Sequence, residues 1–297
     1  MQALVLVMLD LLPCLLASQE MHWRYGKTVY DHGTAICGPV DWKNVSAHCV
    51  ENTQSPVNIK TDKNSMHMFP YLDGFHFIVD NMVGSVSGVL VNNGHAPTLI
   101  VDQSKTPAIL TGGPWANKVY MLKQLHFHFG CDASKGSEHT VDGRVYSGEL
   151  HLVTYNTKYF DFHAAADKPD GLSVVAVFFL DNGGDESNWE QLTDAMKKIT
   201  KADSITKVPM YYIKLYHMVP QLRDLSRASF YTYKGSLTTP PCYQSVKWIV
   251  LENPVSTSRE VMTAMRSLKN HEGHSLCDNF RPTQPLNGRL LAKHSRY

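Results

Sequence analysis

Short runs of β-branched and aromatic residues recur along the chain, and the runs are separated by turn signals such as Asn93-Gly94 and 182–184. Runs of this length and composition are typical of β-strands. They predict strands at Phe75–Val79, Ser85–Val91, Val119–Phe129, Leu150–Tyr155, Ser173–Leu180 and Ser245–Leu251. The body of the protein is therefore expected to be mainly strand.

Two segments have helical periodicity instead. The first begins at a capping box, Ser187 to Glu190, and places Leu192, Ala195, Met196 and Ile199 on one face. The second begins at 257–260 and carries Val261, Met265 and Leu268. No repeat or linker-like tract divides the chain, so the pattern favours one domain.

The first 18 residues are predicted to be a signal peptide. Leu4 to Ala17 is almost wholly apolar but too short to span a bilayer, although Asp10 interrupts it and no basic residue precedes it. A buried N-terminal helix is the alternative. Residues 19–297 are expected to form the mature domain. No later run reaches membrane length, so we expect a secreted protein without a membrane anchor.

Charge and cysteine content narrow the function classes. Lys and Arg total 28 against 27 Asp and Glu and are scattered, which argues against nucleic-acid or anionic-membrane partners. Outside the predicted signal peptide there are five cysteines, so at least one is free or paired between chains. Asn44 begins an N-glycosylation sequon, which has meaning only if the protein is exported. The 15 histidines are a first indication of metal chemistry.

The segment 123–129 carries two histidines on one strand face. Side chains alternate along a strand, so Gln124, His126 and His128 share a face, opposite an apolar face. A His-x-His pattern alone is more often structural, because histidine is commonly half-buried and hydrogen-bonded.

A second strand changes that interpretation. Glu149, His151 and Val153 also share one face. If the two strands are neighbours, three imidazoles converge, and three protein ligands leave the fourth zinc position open, as in catalytic sites. Gln124 and Glu149 each precede a ligand histidine by two residues, and both are placed to accept its second N–H.

The segment from Ser137 to Val153, which contains Glu138, Tyr146 and the second histidine strand, resembles the signature of the α-class carbonic anhydrases. Further blocks of the family pattern appear in the same order: 54–59, 92–95, 235–241 and 279–287. The resemblance extends from about Trp23 to Arg289. It implies an α+β, mainly β fold: one domain with a large twisted, mostly antiparallel sheet and short peripheral helices.

The resemblance also implies an activity and residue roles. The activity is reversible hydration of carbon dioxide to bicarbonate and a proton, by attack of zinc-bound hydroxide. His126, His128 and His151 match the zinc ligands, Thr238 the acceptor that orients the hydroxide, and Glu138 the partner of that threonine.

Further matches concern proton transfer and the substrate. His95 matches a proton shuttle, for which an imidazole titrating near neutrality is suited, and Tyr25 and Asn93 match residues that organise its water chain. The positions that match the carbon dioxide pocket are Val153, Val174, Leu237, Thr238, Thr239, Val246 and Trp248. Sulfonamide and anion inhibitors are expected at the zinc.

Cysteine pairing follows partly from the same resemblance. Cys49 and Cys242 match a disulfide of secreted members. Cys37 is expected to pair with Cys277, because both chain ends should pack near one another. Cys131 is then left as a free or intermolecular thiol.

Three other functions fit parts of the pattern. A catalytically silent relative would be expected to lack a ligand histidine, and all three are present. An esterase activity would be a side reaction of the same site. A zinc storage protein would show exchangeable metal and no pH-linked activity. Physiological role and oligomeric state are left open by the sequence.

Overall fold

A large mixed β-sheet is the framework of the described part of the chain, which forms one domain. The computed structural model describes residues 23–31, 34–62, 66–69, 74–81 and 84–295. The predicted signal peptide, residues 1–18, lies outside these ranges, and the domain boundary at residue 19 stays a prediction. Among the described residues, none of the helices has the length and apolar content to cross a membrane.

Strands dominate the described residues, as predicted. They are β1 Val29–Asp31, β2 Thr34–Ile36, β3 Asn58–Ile59, β4 His67–Phe69, β5 His76–Val79, β6 Ser85–Asn92, β7 Pro97–Val101, β8 Ala108–Thr111, β9 Val119–Phe129, β10 Thr140–Val141, β11 Gly148–Asn156, β12 Leu172–Asp181, β13 Ile205–Lys214, β14 Phe230–Gly235, β15 Val246–Thr257 and β16 Ala292–His294. The helices are α1 Phe162–Ala166, α2 Glu190–Met196, α3 Leu215–Met218 and α4 Arg259–Arg266, with short 3₁₀ helices between elements.

Twelve of the described strands form the main sheet. Its principal order is β13-β6-β7-β9-β11-β12-β15-β14-β16-β4, and β5 and β8 extend it beside β9. Among the described strand pairs of this sheet, only β12/β15 and β16/β4 are parallel. The mostly antiparallel sheet is thus confirmed. Two small sheets, β1-β2 and β3-β10, lie apart from it.

Both faces of the sheet are buried, and this burial fixes the strand register. Leu125, Phe127, Leu150 and Leu152 point into the larger core with the apolar faces of α2 and α4. The alternating residues of β9 and β11 point to the other side, where a second apolar cluster contains Val153 and its neighbours. A one-residue slip would exchange the two faces, so the pairing is strongly specified.

Of the two helix starts predicted from the sequence, only one agrees with the structure. At α4, Ser258 Oγ accepts from Val261 N at 3.1 Å, as an N-cap does. The capping box at Ser187 is wrong: Asp185 caps a 3₁₀ turn over Glu186–Asn188 by accepting from Ser187 N, and α2 begins after the buried Trp189.

Candidate metal centre

The pairing of β9 with β11 brings the three predicted ligands together. In the antiparallel register His151 lies opposite His126, and Glu149 lies opposite His128. The ring centroids of the three imidazoles are 4.6 to 5.1 Å apart. One ligand nitrogen from each lies within 4.8 Å of the others. Local alternation and one strand pairing therefore suffice to build the triad.

Two of the rings have a nitrogen committed to an acceptor. His151 Nε2 donates to Glu149 Oε1 at 2.7 Å, and His128 Nδ1 donates to the backbone oxygen of Asn279 at 2.6 Å. These bonds fix the tautomers and leave His151 Nδ1 and His128 Nε2 as lone-pair donors. His126 Nε2 lies 3.2 Å from His151 Nδ1. The free nitrogens thus converge.

The donor set fits a zinc ion. Burial lowers the pKa of His126 and that of His128, which keeps both rings in the neutral form that binds metal. His128 Nε2 and Glu138 Oε2 are buried and have no hydrogen-bond partner among the described residues. Orphaned buried polar atoms are costly, and a cation between the imidazoles would satisfy the nitrogen. Three neutral nitrogens suit tetrahedral zinc with one open position.

Glu149 is the centre of a buried hydrogen-bond network. Its Oε1 accepts from His139 Nδ1 at 2.6 Å as well as from His151, and its Oε2 accepts from the backbone nitrogens of Glu138 and His139 at 3.0 and 2.8 Å. Burial alone would raise the pKa of Glu149, but the two imidazoles lower it well below its usual range. A carboxylate held in this way strengthens the basicity of His151.

Gln124 does not form the corresponding bond. It is half-buried on the same strand face as His126, but no hydrogen bond within the described ranges joins the two side chains. The predicted acceptor role of Gln124 is therefore not observed. Glu149, by contrast, does accept from His151.

The bond between Thr238 and Glu138 is also not formed in the described structure. Glu138 Oε1 accepts from Arg281 N at 2.8 Å, while Oε2 points toward the ligands, 3.5 Å from His128 Nε2 and 4.0 Å from His151 Nδ1. Thr238 is buried, in the sequence block that precedes Cys242.

The apolar residues predicted to line the substrate pocket lie beside the triad. Val153 pairs with Val174, and Val174 pairs with Trp248, across three adjacent strands. The Trp248 and His151 ring centroids are 4.8 Å apart. The apolar cluster on this side of the sheet contains Val153, Val174, Val246 and Trp248, with Leu237 packed against it. Thr239 follows in the same loop and is half-buried.

His95 is stacked rather than solvated. Its ring lies 3.8 Å from the ring of Trp23 at an interplanar angle of 9°, and His271 lies 6.0 Å away. Burial, and then the charge of His271, lower the pKa of His95 to about 4. The expectation that this imidazole titrates near neutrality is therefore wrong for the stacked position.

The two residues predicted to organise water contact the site differently. Asn93 Oδ1 accepts from the backbone nitrogens of His95 and Ala96 at 2.9 and 2.8 Å, so its side chain shapes the turn that carries His95. The Tyr25 ring lies 6.4 Å from that of His128. Burial, and then the negative charge of Glu138, raise the pKa of Tyr25.

Cysteine pairing was predicted correctly at one bridge only. The structure forms Cys49–Cys242. It also forms Cys131–Cys277, and Cys37 is buried and free. The expected pair Cys37–Cys277 and the free Cys131 are therefore wrong, because the end of β9, rather than the N-terminal segment, packs against Cys277.

Two residues near the metal centre were missed as contributors. His139 bonds Glu149 and, through Nε2, the Tyr233 hydroxyl at 2.6 Å. Asn279 supplies the acceptor for His128. The sequence block that begins at Asn279 resembles the family pattern. Its role as acceptor for His128 could not be predicted, because the acceptor is a backbone carbonyl and does not depend on the residue type. His139 follows Glu138 in the segment from Ser137 to Val153, and its position there was the sequence signal for a partner of Glu149.

Three histidines that could hold a metal ion lie together on a mainly antiparallel sheet, and comparison with known proteins gives the class of protein. The model of the eukaryotic-type carbonic anhydrase family matches residues 37–295, and the chain belongs to this α-class family. It is an enzyme, a lyase. The family is zinc-dependent in general and acts on carbon dioxide and bicarbonate.

Individual relatives agree over nearly the whole chain. Carbonic anhydrase 7 of Mus musculus is 38% identical over 274 residues, which cover 91% of this chain and 96% of the relative. Carbonic anhydrase 7 of Homo sapiens is 36% identical over the same shares. Carbonic anhydrase 3 of Sus scrofa is 34% identical over 275 residues, again 91% of this chain and 96% of the relative.

The prediction of secretion is contradicted by these relatives. Carbonic anhydrases 3 and 7 are cytosolic enzymes, which points against export through an N-terminal signal peptide. The apolar N-terminal run also lacks a preceding basic residue and is interrupted by Asp10, unlike the usual signal-peptide pattern. Glycosylation at Asn44 was predicted only for an exported protein, so the correction on secretion removes the support for that prediction.

Proposed function

We propose that this chain catalyses zinc-dependent, reversible hydration of carbon dioxide to bicarbonate and a proton. The observation that carries the proposal is the convergence of three imidazoles, of which His151 and His128 each have their outward nitrogen held by an acceptor. His126, His128 and His151 would hold the ion. When bound, zinc supplies a nucleophile from water at neutral pH.

The apolar cluster beside His151 supports a pocket for a small uncharged substrate. Val153, Val174 and Trp248 are each no more than 2% exposed, and Leu237 packs against them. An apolar wall with few polar groups suits a linear molecule without charge. We assign this wall, completed by Val246, to holding carbon dioxide beside the metal centre.

We assign the orientation of the attacking oxygen to Thr238. If the Thr238 hydroxyl accepts a hydrogen bond from that oxygen, a lone pair of the oxygen is directed to the carbon atom. Glu138 can fix the hydroxyl by accepting a hydrogen bond from it. The buried Glu138 Oε2, with no partner among the described residues, is an acceptor available for this bond. Thr239 lies next in the loop and completes the polar edge of the pocket.

Proton export is assigned to His95, which lies on the turn shaped by Asn93. In the stack with Trp23 the ring is a weak base because burial lowers its pKa to about 4. Leaving the stack would restore its contact with water and raise the pKa toward neutrality, where an imidazole carries protons best. We place Tyr25 and Asn93 along the water path between His95 and the metal.

Stopped-flow hydration of carbon dioxide tests the proposal. Purified protein should accelerate the reaction, lose the activity to a zinc chelator and recover it when zinc is restored. Turnover of an activated ester, measured in parallel, should be far slower, and a sulfonamide should inhibit both reactions. Ester turnover faster than hydration would favour the hydrolase alternative instead.

A further inference from the structure

The Cys131–Cys277 disulfide joins the end of a ligand strand to a distant part of the chain. Its two Cα atoms are 4.9 Å apart, and 146 residues separate the cysteines in sequence. Cys131 follows β9 by two residues. Cys277 begins the segment Cys277–Asn279, in which Asn279 is the acceptor for His128.

The same segment is hydrogen-bonded along the end of β9. Asn279 Oδ1 accepts from Phe129 N at 2.8 Å, and Asn279 Nδ2 donates to Phe127 O at 2.9 Å, so its side chain brackets His128 on both sides. Asp278 N donates to Phe129 O at 2.8 Å, and Asp278 Oδ1 accepts from Cys131 N at 3.0 Å. Asn279 is 1% exposed.

The bond from His128 Nδ1 to Asn279 O has a direct consequence for metal binding. It keeps the proton on Nδ1 and leaves Nε2 free, and Nε2 is the nitrogen that lies buried without a partner in the described structure. Because the acceptor is a backbone carbonyl, its position depends on the path of the chain. Asp278 has a φ of +59°, a conformation that residues other than glycine adopt at a cost. The path is tied to the end of β9 by the hydrogen bonds of Asp278 and Asn279 and by the disulfide.

We propose that the Cys131–Cys277 disulfide is a positioning cross-link, which holds the Asn279 carbonyl against His128 and thereby raises the affinity of the site for zinc. This inference rests on the proposed function. Lys135 Nζ, 2.6 Å from Asp278 Oδ2, supports the same segment from the loop after β9. Cys131 is exposed, so the cross-link is open to thiol reductants.

The test is the zinc affinity of the double variant Cys131→Ser/Cys277→Ser, measured by competition with a chelator. Loss of an acceptor that orients a ligand histidine typically costs 10- to 100-fold in metal affinity. Since the Asn279 side-chain bonds remain, we expect Kd to rise about tenfold, near the lower limit. The visible spectrum of the cobalt(II)-loaded variant should also change, because the geometry of the His128 ring is altered.

Cys37→Ser is the matched control. It makes the same substitution at a buried cysteine outside any disulfide, and it should leave the zinc affinity unchanged. A double variant with wild-type Kd and wild-type cobalt spectrum would overturn the proposal, and so would peptide mass mapping that finds Cys131 and Cys277 unpaired in the wild-type protein. A wild-type protein that binds no zinc would instead refute the proposed function.

If the double variant does not fold, reduction of the disulfide in the wild-type protein tests whether the cross-link raises zinc affinity. A dithiol reductant converts Cys131 and Cys277 to thiols as its own thiols are oxidised to a disulfide. Cys49 and Cys242 are only 5% and 0% exposed, so the exposed bridge should open first. Because the thiols of the reductant bind zinc themselves, zinc affinity is measured after the reductant is removed. It should fall in step with the opening of the bridge, and an unchanged affinity would overturn the proposal.

Discussion

Replacing Glu149 with glutamine tests the buried network that prepares the metal centre. The carboxylate is completely buried and accepts four hydrogen bonds, two from imidazoles at Oε1 and two from backbone nitrogens at Oε2. An amide has one accepting oxygen and one donating nitrogen. In either orientation of Glu149→Gln, the NH₂ group faces two donors.

The consequence for His151 follows from the tautomer. With the amide nitrogen toward the imidazoles, His151 Nε2 must accept, and the proton moves to Nδ1, the nitrogen needed for the metal. With the amide reversed, Glu138 N and His139 N lose their acceptor, at about 1–3 kcal/mol for each buried donor. We therefore expect zinc Kd to rise 10- to 100-fold, which is about 1.4–2.7 kcal/mol.

Chelator competition measures the zinc affinity, and thermal unfolding of the metal-free protein measures the stability. Glu252→Gln is the control, because that carboxylate bonds Tyr231 and Lys293 instead of imidazoles. A Glu149→Gln protein with wild-type zinc affinity would refute the assigned role of Glu149.

The remaining predictions concern the ligands and the His95 stack. His128→Ala should abolish stoichiometric zinc binding, checked by metal analysis of the purified variant, since it removes one of three ligands. Trp23→Ala should raise the pKa of His95 from about 4 toward its ordinary 6.5, measured by NMR titration, because the ring loses its apolar cover; an unchanged pKa would mean that other neighbours bury it. Because the pKa of His95 is lowered in the folded state, His95 is protonated at a higher pH in the unfolded chain than in the folded chain. His95 therefore destabilises the fold as the pH falls from 6.5 to about 4. As the pH falls through that window, the free energy of unfolding of His95→Gln, measured with denaturant, should increase by about 3 kcal/mol relative to that of the wild-type protein. Unfolding free energies that change with pH in the same way in both proteins would contradict this.

Local pattern was sufficient for the centre of the site because it depends on one strand pair. Alternation placed His126, His128 and His151 on one face, and the predicted β9 range agrees with the observed strand. Glu149 was recognisable because it shares that face. The large, mostly antiparallel sheet was expected from the family resemblance, because the apolar runs predict individual strands but not their order.

What the sequence could not provide depends on contacts between distant segments. The acceptor of His128 lies 151 residues away and belongs to the backbone. Cysteine spacing does not determine pairing, and the bridge from Cys131 to Cys277 depends on how the chain returns to the end of β9. The low pKa of His95 comes from a stack with Trp23, 72 positions earlier, which no local pattern indicates.

Zinc titration of carbon dioxide hydration tests the central claim most directly. Metal-free protein is supplied with increasing zinc, and the hydration rate is followed by stopped flow. We predict a rate that rises in proportion to zinc and levels off at one ion per chain. A rate that stays at the uncatalysed value with one zinc bound, or full activity in protein shown to contain no metal, would contradict the account.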